Sequence, residues 1–125
     1  MLTNMVTTNQ FNAFCIDCQK NRSTHANITY GVFICHECAD FLNKNMAQPQ
    51  AYIKSLFTEV WDPYQLTIAQ IGGNQKFYEF LQPYNKEKLS IMEKYNSSAC
   101  KWYAKKIAFE AKGIEFKETQ PAHNM

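Results

Sequence analysis

Arginine is almost absent from the 125-residue chain, in which Arg22 stands alone against twelve lysines. The formal net charge of +2 is too small for the strongly basic surface that nucleic-acid phosphates or an anionic membrane require. No apolar run reaches the length of about 18 residues that a membrane-spanning helix needs. The sequence also lacks a glycine-rich phosphate loop, a Ser-His-Asp constellation and an obvious pair of catalytic carboxylates.

The N-terminal segment has no charge before Asp17. It therefore lacks the basic n-region of a secretory signal and the arginines of a transit peptide. We expect a protein that is not secreted and that is cytoplasmic or organelle-associated, in a reducing setting. Import through an internal signal stays open, and so does membership of a mitochondrial complex.

Four of the five cysteines form two close pairs, spaced C-x2-C-x16-C-x2-C: Cys15, Cys18, Cys35 and Cys38. Each pair can turn two thiolates toward one point, and two pairs complete a tetrahedral shell around Zn²⁺. Disulfide pairing is the competing interpretation, but the short spacings and the missing secretory signal favour a metal. Four thiolates leave no open coordination position, so we predict one structural zinc ion. Cys100 lies far away and is expected to be a small buried residue.

The remaining sequence predicts an α+β fold, a small zinc module with a short β-sheet surrounded by several α-helices. Helix boundaries come from Asp62 before Pro63, an N-cap and a first helical residue, and from serines near position 97 and Gly113. The predicted elements are a β-rich stretch at 28–34, a helix at 37–46, an extended segment at 51–57, and helices at 63–71, 75–81, 86–95 and from Ser97 or Ser98 to Gly113.

We expect a single domain over residues 1–125. Its zinc module covers about residues 10–48 and its helical part about 51–116, and a short polar tail follows at 117–125. Aromatic residues make up 14% of the chain, and some of them are expected to face a protein partner. Ordinary core packing stays open for each of them.

A four-cysteine layout of this kind also occurs in GATA-type DNA-binding fingers. Those fingers need a basic, arginine-rich segment after the cysteines to contact phosphates and guanine edges. Residues 39–52 contain one lysine and one aspartate. We therefore exclude a nucleic-acid partner.

The residues around the cysteines form a further pattern. Asp17 lies within the first pair, Glu37 within the second, and the strand sequence Gly-Val-Phe-Ile-Cys leads into the second pair at 31–35. Trp61 follows an Ile-Lys-Ser-Leu segment, and a Gly-Asn pair comes at 73–74. In spacing and in these residues the chain resembles the ArfGAP family, whose members stimulate GTP hydrolysis by Arf-type small GTPases. The resemblance covers about residues 9–116.

The chain departs from that family where its catalytic arginine would stand. Family members carry an arginine finger five residues after the last zinc cysteine, and this chain has Asn43 there. A guanidinium in that role is worth about three to five orders of magnitude in rate, and a neutral amide cannot replace it. Lys44 points about 100° away on a helix, and Arg22 lies in the zinc loop as an ordinary surface charge. His25 stands where the family usually has tryptophan.

The loss of arginine predicts a catalytically inactive member, without a catalytic residue and without a cofactor other than one structural Zn²⁺. Our first interpretation is a non-catalytic, zinc-binding protein that acts as a structural or interaction subunit of a larger assembly. The alternative is a regulator of an Arf-type GTPase, which it binds or slowly activates. In either case the partners are proteins, and peripheral association with a membrane is compatible with both.

Overall fold

The protein is described by a computed structural model. It describes the backbone of residues 2–46 and 51–122 and the side chains of residues 4–46 and 51–122. The expected end of the zinc module near residue 48 and the last three residues of the predicted tail lie outside these ranges. Within them no helix is long and apolar enough to cross a membrane.

The predicted α+β class is confirmed, with six α-helices and one three-stranded sheet among the described residues. In chain order the elements are α1 (Leu2–Thr7), β1 (His25–Asn27), β2 (Val32–Ile34), α2 (His36–Asn45), β3 (Ile53–Ser55), α3 (Pro63–Ile71), α4 (Asn74–Leu81), a 3₁₀ helix (Gln82–Tyr84), α5 (Ile91–Tyr95) and α6 (Ser98–Ala111).

The sheet is antiparallel, in the order β2-β1-β3, with Ala26 opposite Phe33 on one side and opposite Lys54 on the other. Of the β-rich stretch predicted at 28–34, only Val32–Ile34 is a strand, because residues 28–31 form the turn that joins β1 to β2. Gly31 adopts φ +68° in this turn, and a Cβ there would lie 2.8 Å from the backbone oxygen of Ile68. Only glycine fits both the left-handed backbone and this close approach to α3.

The strand β2 is buried on both faces although it lies at an edge of the sheet. Phe33 faces a small cluster, and its neighbours Val32 and Ile34 face the main core. All three are fully buried. Buried partners in the main core include Ile28, Leu42, Ile68, Phe77, Leu81 and Ile107. Burial on both sides explains why the segment reads as an uninterrupted apolar run.

Asn74, the first residue of α4, pairs with the open edge of β2. Its Oδ1 accepts a hydrogen bond from the amide of Phe33 at 2.7 Å. Its Nδ2 lies within 3.2 Å of the carbonyl oxygens of Phe11, Phe14 and Phe33. The backbone amide of Asn74 donates to Asn12 Oδ1 at 2.9 Å. Together with the amide of Ile16, which also donates to the backbone oxygen of Phe33, this buried side chain pairs the strand edge and ties the helical part to the loop that carries the first cysteine pair.

Helices α3 and α6 follow their predicted boundaries. Asp62 caps α3 in a capping box with Gln65, and Pro63 is the first helical residue. Ser97 caps α6 by accepting from the amide of Cys100 at 3.2 Å, and Gly113 follows the helix with φ +71°.

One predicted helix is shorter in the structure, and one helix of the structure was not predicted. The helix expected over 86–95 is confined to Ile91–Tyr95, because Asn85 takes a left-handed conformation and Ser90 starts the helix by accepting from the amide of Glu93. Helix α1 has no counterpart among the predicted elements, since its six residues carry no capping pair or charge pattern.

Residues 114–122, hereafter the C-terminal segment, return along α6. The indole of Trp102 donates to the backbone oxygen of Glu118 at 3.1 Å, and the hydroxyl of Tyr84 donates to the backbone oxygen of Pro121 at 2.6 Å. The ring of Phe116 packs against Trp102 and Phe109, with centroids 5.5 and 5.1 Å away. The predicted polar tail is therefore held along α6, and Phe116 directly before it packs on that helix.

Candidate metal centre

Local hydrogen bonds build the two cysteine-bearing turns. A β-bridge between Phe14 and Arg22 closes the first loop, and the amide of Cys15 donates to the backbone oxygen of Asn21 at 2.9 Å. The second pair lies where β2 passes into α2, because Cys35 is the N-cap residue and Cys38 belongs to the first turn. The sheet and α2 thus present both pairs to one point.

The four sulfur atoms converge. All lie within 4.8 Å of one another, and the Sγ atoms of Cys18 and Cys35 are 3.8 Å apart. A tetrahedral Zn²⁺ with Zn–S bonds of about 2.3 Å implies S···S distances of about 3.8 Å. A disulfide would need about 2.05 Å, and all five cysteines are free. The geometry fits a metal ion and does not support the disulfide alternative.

Backbone and side-chain donors surround the sulfurs. Cys15 Sγ accepts from the amides of Asp17 at 3.3 Å and of Cys18 at 3.4 Å. Cys35 Sγ accepts from the amide of Cys38 at 3.5 Å and from Asn21 Nδ2 at 3.6 Å. Such donors stabilise negative charge on sulfur, which is the form that binds a metal.

Hydrogen bonds between the thiols shift their pKa values in opposite directions. A hydrogen bond from Cys38 lowers the pKa of Cys15 to about 5, helped by the amide of Cys18 and opposed by burial. The same interaction and burial raise the pKa of Cys38 far above its ordinary value. The hydrogen bond from Cys38 therefore favours the thiolate form of Cys15. A bound Zn²⁺ would displace the protons of the others.

Asp17, between the first two cysteines, forms a fully buried ion pair with α5. Lys94 Nζ lies 2.5 Å from Asp17 Oδ1, and the two side chains are 2% and 0% exposed. The hydroxyl of Tyr95 donates to the same oxygen at 2.6 Å. Burial, followed by the charge of Asp17, raises the pKa of Tyr95 well above 10. Sequence reasoning identified Asp17 but missed both partners, because nothing near Lys94 marks a lysine that will be buried.

Asn43, the residue in place of the family's arginine, is exposed in the last part of α2. Lys44 and Asn45 beside it are exposed too, and the side-chain Nδ2 of Asn45 donates to the backbone oxygen of Phe41 at 2.7 Å. Phe41 is itself 39% exposed. The chain thus presents a neutral polar side chain where an arginine would project.

Arg22 is occupied elsewhere. It pairs with Phe14 in the bridge that closes the first cysteine loop, and its guanidinium carbon lies 5.3 Å from the centre of the Phe14 ring. This stacking holds the charge against the zinc loop. It gives no support to Arg22 as a replacement for the missing finger.

The other candidate residues have ordinary surroundings. His25 is partly buried at the start of β1, and its pKa is lowered by burial and by the nearby His36. His36 is exposed and lies 3.2 Å from the carboxylate of Asp40, one turn later on α2. Cys100 is completely buried, as expected, and burial raises its pKa to about 11. A thiol in this state is not reactive.

Comparisons with known proteins agree with the geometry. Residues 1–112 match the ArfGap family model, described as "Putative GTPase activating protein for Arf". ADP-ribosylation factor GTPase-activating protein 3 of Macaca fascicularis is 33% identical over 99 residues, 77% of this chain and 19% of that protein. Stromal membrane-associated protein 1 of Mus musculus is 34% identical over 77 residues, 59% of this chain and 17% of that protein. The chain spans about a fifth of the length of these relatives.

Solved structures share the fold. A Cryptosporidium parvum protein described as a "putative GTPase activating protein for ADP ribosylation factor" has a TM-score of 0.67 and 22% identity, with 90% of this chain and 86% of that chain covered. The ArfGap domain of human RIP has a TM-score of 0.56 and 19% identity, with 97% and 92% covered. Since the family model matches residues 1–112 of 125 and the four-cysteine geometry agrees with it, the chain belongs to the ArfGap family.

Proposed function

We propose that this protein regulates an Arf-type small GTPase, and that one Zn²⁺ held by Cys15, Cys18, Cys35 and Cys38 stabilises the surface that contacts the GTPase. The family match over residues 1–112 supports the partner class. The convergence of four sulfur atoms supports the metal. A closed four-thiolate shell would supply folding energy and no reactive position.

The observation that carries the proposal is the exposed Asn43 on α2, which begins directly at the second cysteine pair. The scaffold that positions a finger residue is present, but the side chain has no charge to stabilise a transferring phosphoryl group. We propose that the protein binds the GTP form of its partner and accelerates hydrolysis little. No observation favours our first interpretation, a fixed subunit of a larger assembly, over this role, and the compartment stays a prediction.

The test is single-turnover hydrolysis by a panel of purified Arf-type GTPases loaded with GTP, together with binding to the same GTPases loaded with a non-hydrolysable analogue. Wild-type protein should bind with little acceleration. Asn43→Arg should increase the hydrolysis rate at least about 10-fold, which is part of the roughly 10³–10⁵-fold that a fully positioned arginine finger supplies. Lys44→Arg is the matched control, because it adds the same guanidinium about 100° away around the helix.

Absence of binding to every GTPase tested, with no acceleration by Asn43→Arg, would rule the proposal out. Arg22→Ala should leave any residual acceleration unchanged, since Arg22 is stacked on Phe14.

A further inference from the structure

A groove of about 600 Å³ lies between α3, α6 and the turn after β1, and none of the four clustered cysteines lines it. Its floor is formed by the buried side chains of Ile28, Tyr30 and Ile68. Tyr52 and Tyr64 form one wall. The opposite wall is α6, where small side chains leave the floor accessible. The groove is concave and mainly apolar, as ligand-binding grooves usually are.

Positive charge is concentrated on one side of this groove. Lys101 and Lys105 line it from α6, and no acidic residue does. Lys112 places its Nζ 5.8 Å from the ring centre of Tyr64, so a third lysine reaches from α6 toward α3. Lys101 makes no ion pair with any residue in the described ranges. Lys105 is paired with Glu118, so Lys101 is the lining lysine that has no ion-pair partner in the described ranges. An apolar floor beside such a lysine is complementary to a ligand with a bulky apolar group and a nearby carboxylate.

The chain itself makes a contact of this kind beside the groove. On another side of this helix the C-terminal segment inserts Phe116 between Trp102 and Phe109. The carboxylate of Glu118 lies 3.4 Å from Lys105 Nζ. Phe109 and Lys105 also line the groove, so the segment and the groove share part of one helix. An aromatic ring followed two residues later by an acidic one is therefore already accommodated at this helix.

We propose that the groove binds an acidic, amphipathic peptide segment of a partner protein. An apolar side chain of that segment would contact Ile28 and Ile68, and a carboxylate would pair with Lys101. A concave floor of this kind is out of reach for a flat bilayer, whereas a peptide can insert single side chains. The inference is independent of any contact with a GTPase.

The test begins with a phage-displayed library of random peptides selected on the zinc-loaded chain. Enriched peptides should combine an aromatic or leucine residue with nearby aspartate or glutamate, and synthetic copies are then titrated by fluorescence anisotropy. Lys101→Glu should raise their Kd about 10-fold or more, and so should Ala108→Trp, which fills the groove. Lys20→Glu is the matched control, because it makes the same charge change in the zinc loop and should leave the Kd unchanged. Zinc content and circular dichroism confirm that each variant is folded.

Several results would overturn the inference. The first is a selection that enriches no peptide. The second is a set of enriched peptides that bind the Lys101→Glu variant as tightly as they bind the wild-type protein. Vesicles of phosphatidylserine and phosphatidylcholine are tested in parallel, and binding that only vesicles show and Lys101→Glu removes would assign the groove to a membrane. Sedimentation equilibrium that reveals self-association, lost in the same variant, would assign it to a second copy of the chain.

Discussion

At the scale of single residues, the environment of Asp17 couples the cysteine cluster to the C-terminal helices. The carboxylate is completely buried and receives Lys94 and the Tyr95 hydroxyl on one oxygen. Its other oxygen has no hydrogen-bond partner among the residues described. The negative charge of Asp17 therefore depends on Lys94 for its stabilisation, because water cannot reach the carboxylate to replace the lysine.

We therefore expect Lys94→Met to lower the free energy of unfolding by about 3–5 kcal/mol, since it leaves the charge of Asp17 buried and unpaired. The measurement is urea unfolding of the zinc-loaded protein followed by circular dichroism. Adding Asp17→Asn to this variant should restore part of the loss, because the uncompensated charge disappears. Lys105→Met removes an exposed ion pair and should cost at most about 1 kcal/mol. Equal losses in the two lysine variants would contradict the expected role of burial.

A second prediction concerns the metal ligands. Cys35→Ser should abolish stoichiometric zinc binding and leave the chain unfolded, because structural zinc contributes about 10 kcal/mol or more, comparable to the whole stability of a domain. Zinc is measured by mass spectrometry and folding by circular dichroism. Cys100→Ala is the control, since that buried cysteine lies outside the cluster and its loss should leave one zinc per chain. A folded, zinc-free Cys35→Ser protein would show that the cluster is not a structural metal site.

At the scale of elements, the contact between the β1–β2 turn and α3 depends on two glycines. A Cβ on Gly31 would lie 2.8 Å from the backbone oxygen of Ile68, and one on Gly72 would lie 2.8 Å from the backbone oxygen of Gly31. The amide of Gly73 donates to that same oxygen of Gly31 at 2.8 Å. The hairpin and the end of α3 therefore meet backbone to backbone.

Gly31→Ala should lower the free energy of unfolding by more than about 2 kcal/mol, because left-handed backbone strain of about 1–2 kcal/mol adds to a steric clash. Gly113→Ala separates the two causes. Gly113 has a similar φ of +71°, but no atom lies within 4 Å of its added Cβ, so this variant should show the strain alone. Thermal unfolding of both variants provides the comparison. A loss at Gly31 no larger than that at Gly113 would contradict the close approach.

Sequence patterns located the elements whose ends carry their own signals. The Asp62–Pro63 start of α3 and the Ser97 and Gly113 limits of α6 depend on neighbouring residues, which a sequence displays directly. The two-residue spacing within each cysteine pair is local in the same way, and the metal that two such pairs imply predicted the convergence of the sulfurs. The Asp17–Lys94 pair joins residues 77 positions apart, and Asn74 contacts residues more than 40 positions away. Such contacts arise only when the elements pack, so no local pattern could indicate them.

At the scale of the whole molecule, the C-terminal segment covers aromatic side chains of α6 and closes on Tyr84 beyond α4. It contributes Phe116 to a ring cluster with Trp102 and Phe109 and two backbone acceptors to Trp102 and Tyr84. No described contact of this segment involves a cysteine of the cluster. Its contribution to stability is therefore expected to be separable from metal binding.

Deleting residues 114–125 should lower the free energy of unfolding by about 1–3 kcal/mol, because one packed aromatic side chain, several partly exposed hydrogen bonds and the exposed Lys105–Glu118 ion pair are lost. Trp102 fluorescence should shift to longer wavelength as its indole becomes hydrated. Zinc content should remain at one ion per chain. Deleting residues 123–125 alone is the control, and it should change neither the free energy of unfolding, nor the Trp102 fluorescence, nor the zinc content. Loss of zinc in the longer deletion would show that the segment supports the cluster after all.

The uneven burial of the four cysteines gives the proposed zinc-loaded protein a direction of metal exchange. Cys15, Cys35 and Cys38 are buried, while Cys18 is partly exposed. An incoming chelator, or an oxidant that attacks a thiolate, therefore meets the sulfur of Cys18 first. Loss of zinc from the folded protein should therefore begin with the bond to Cys18.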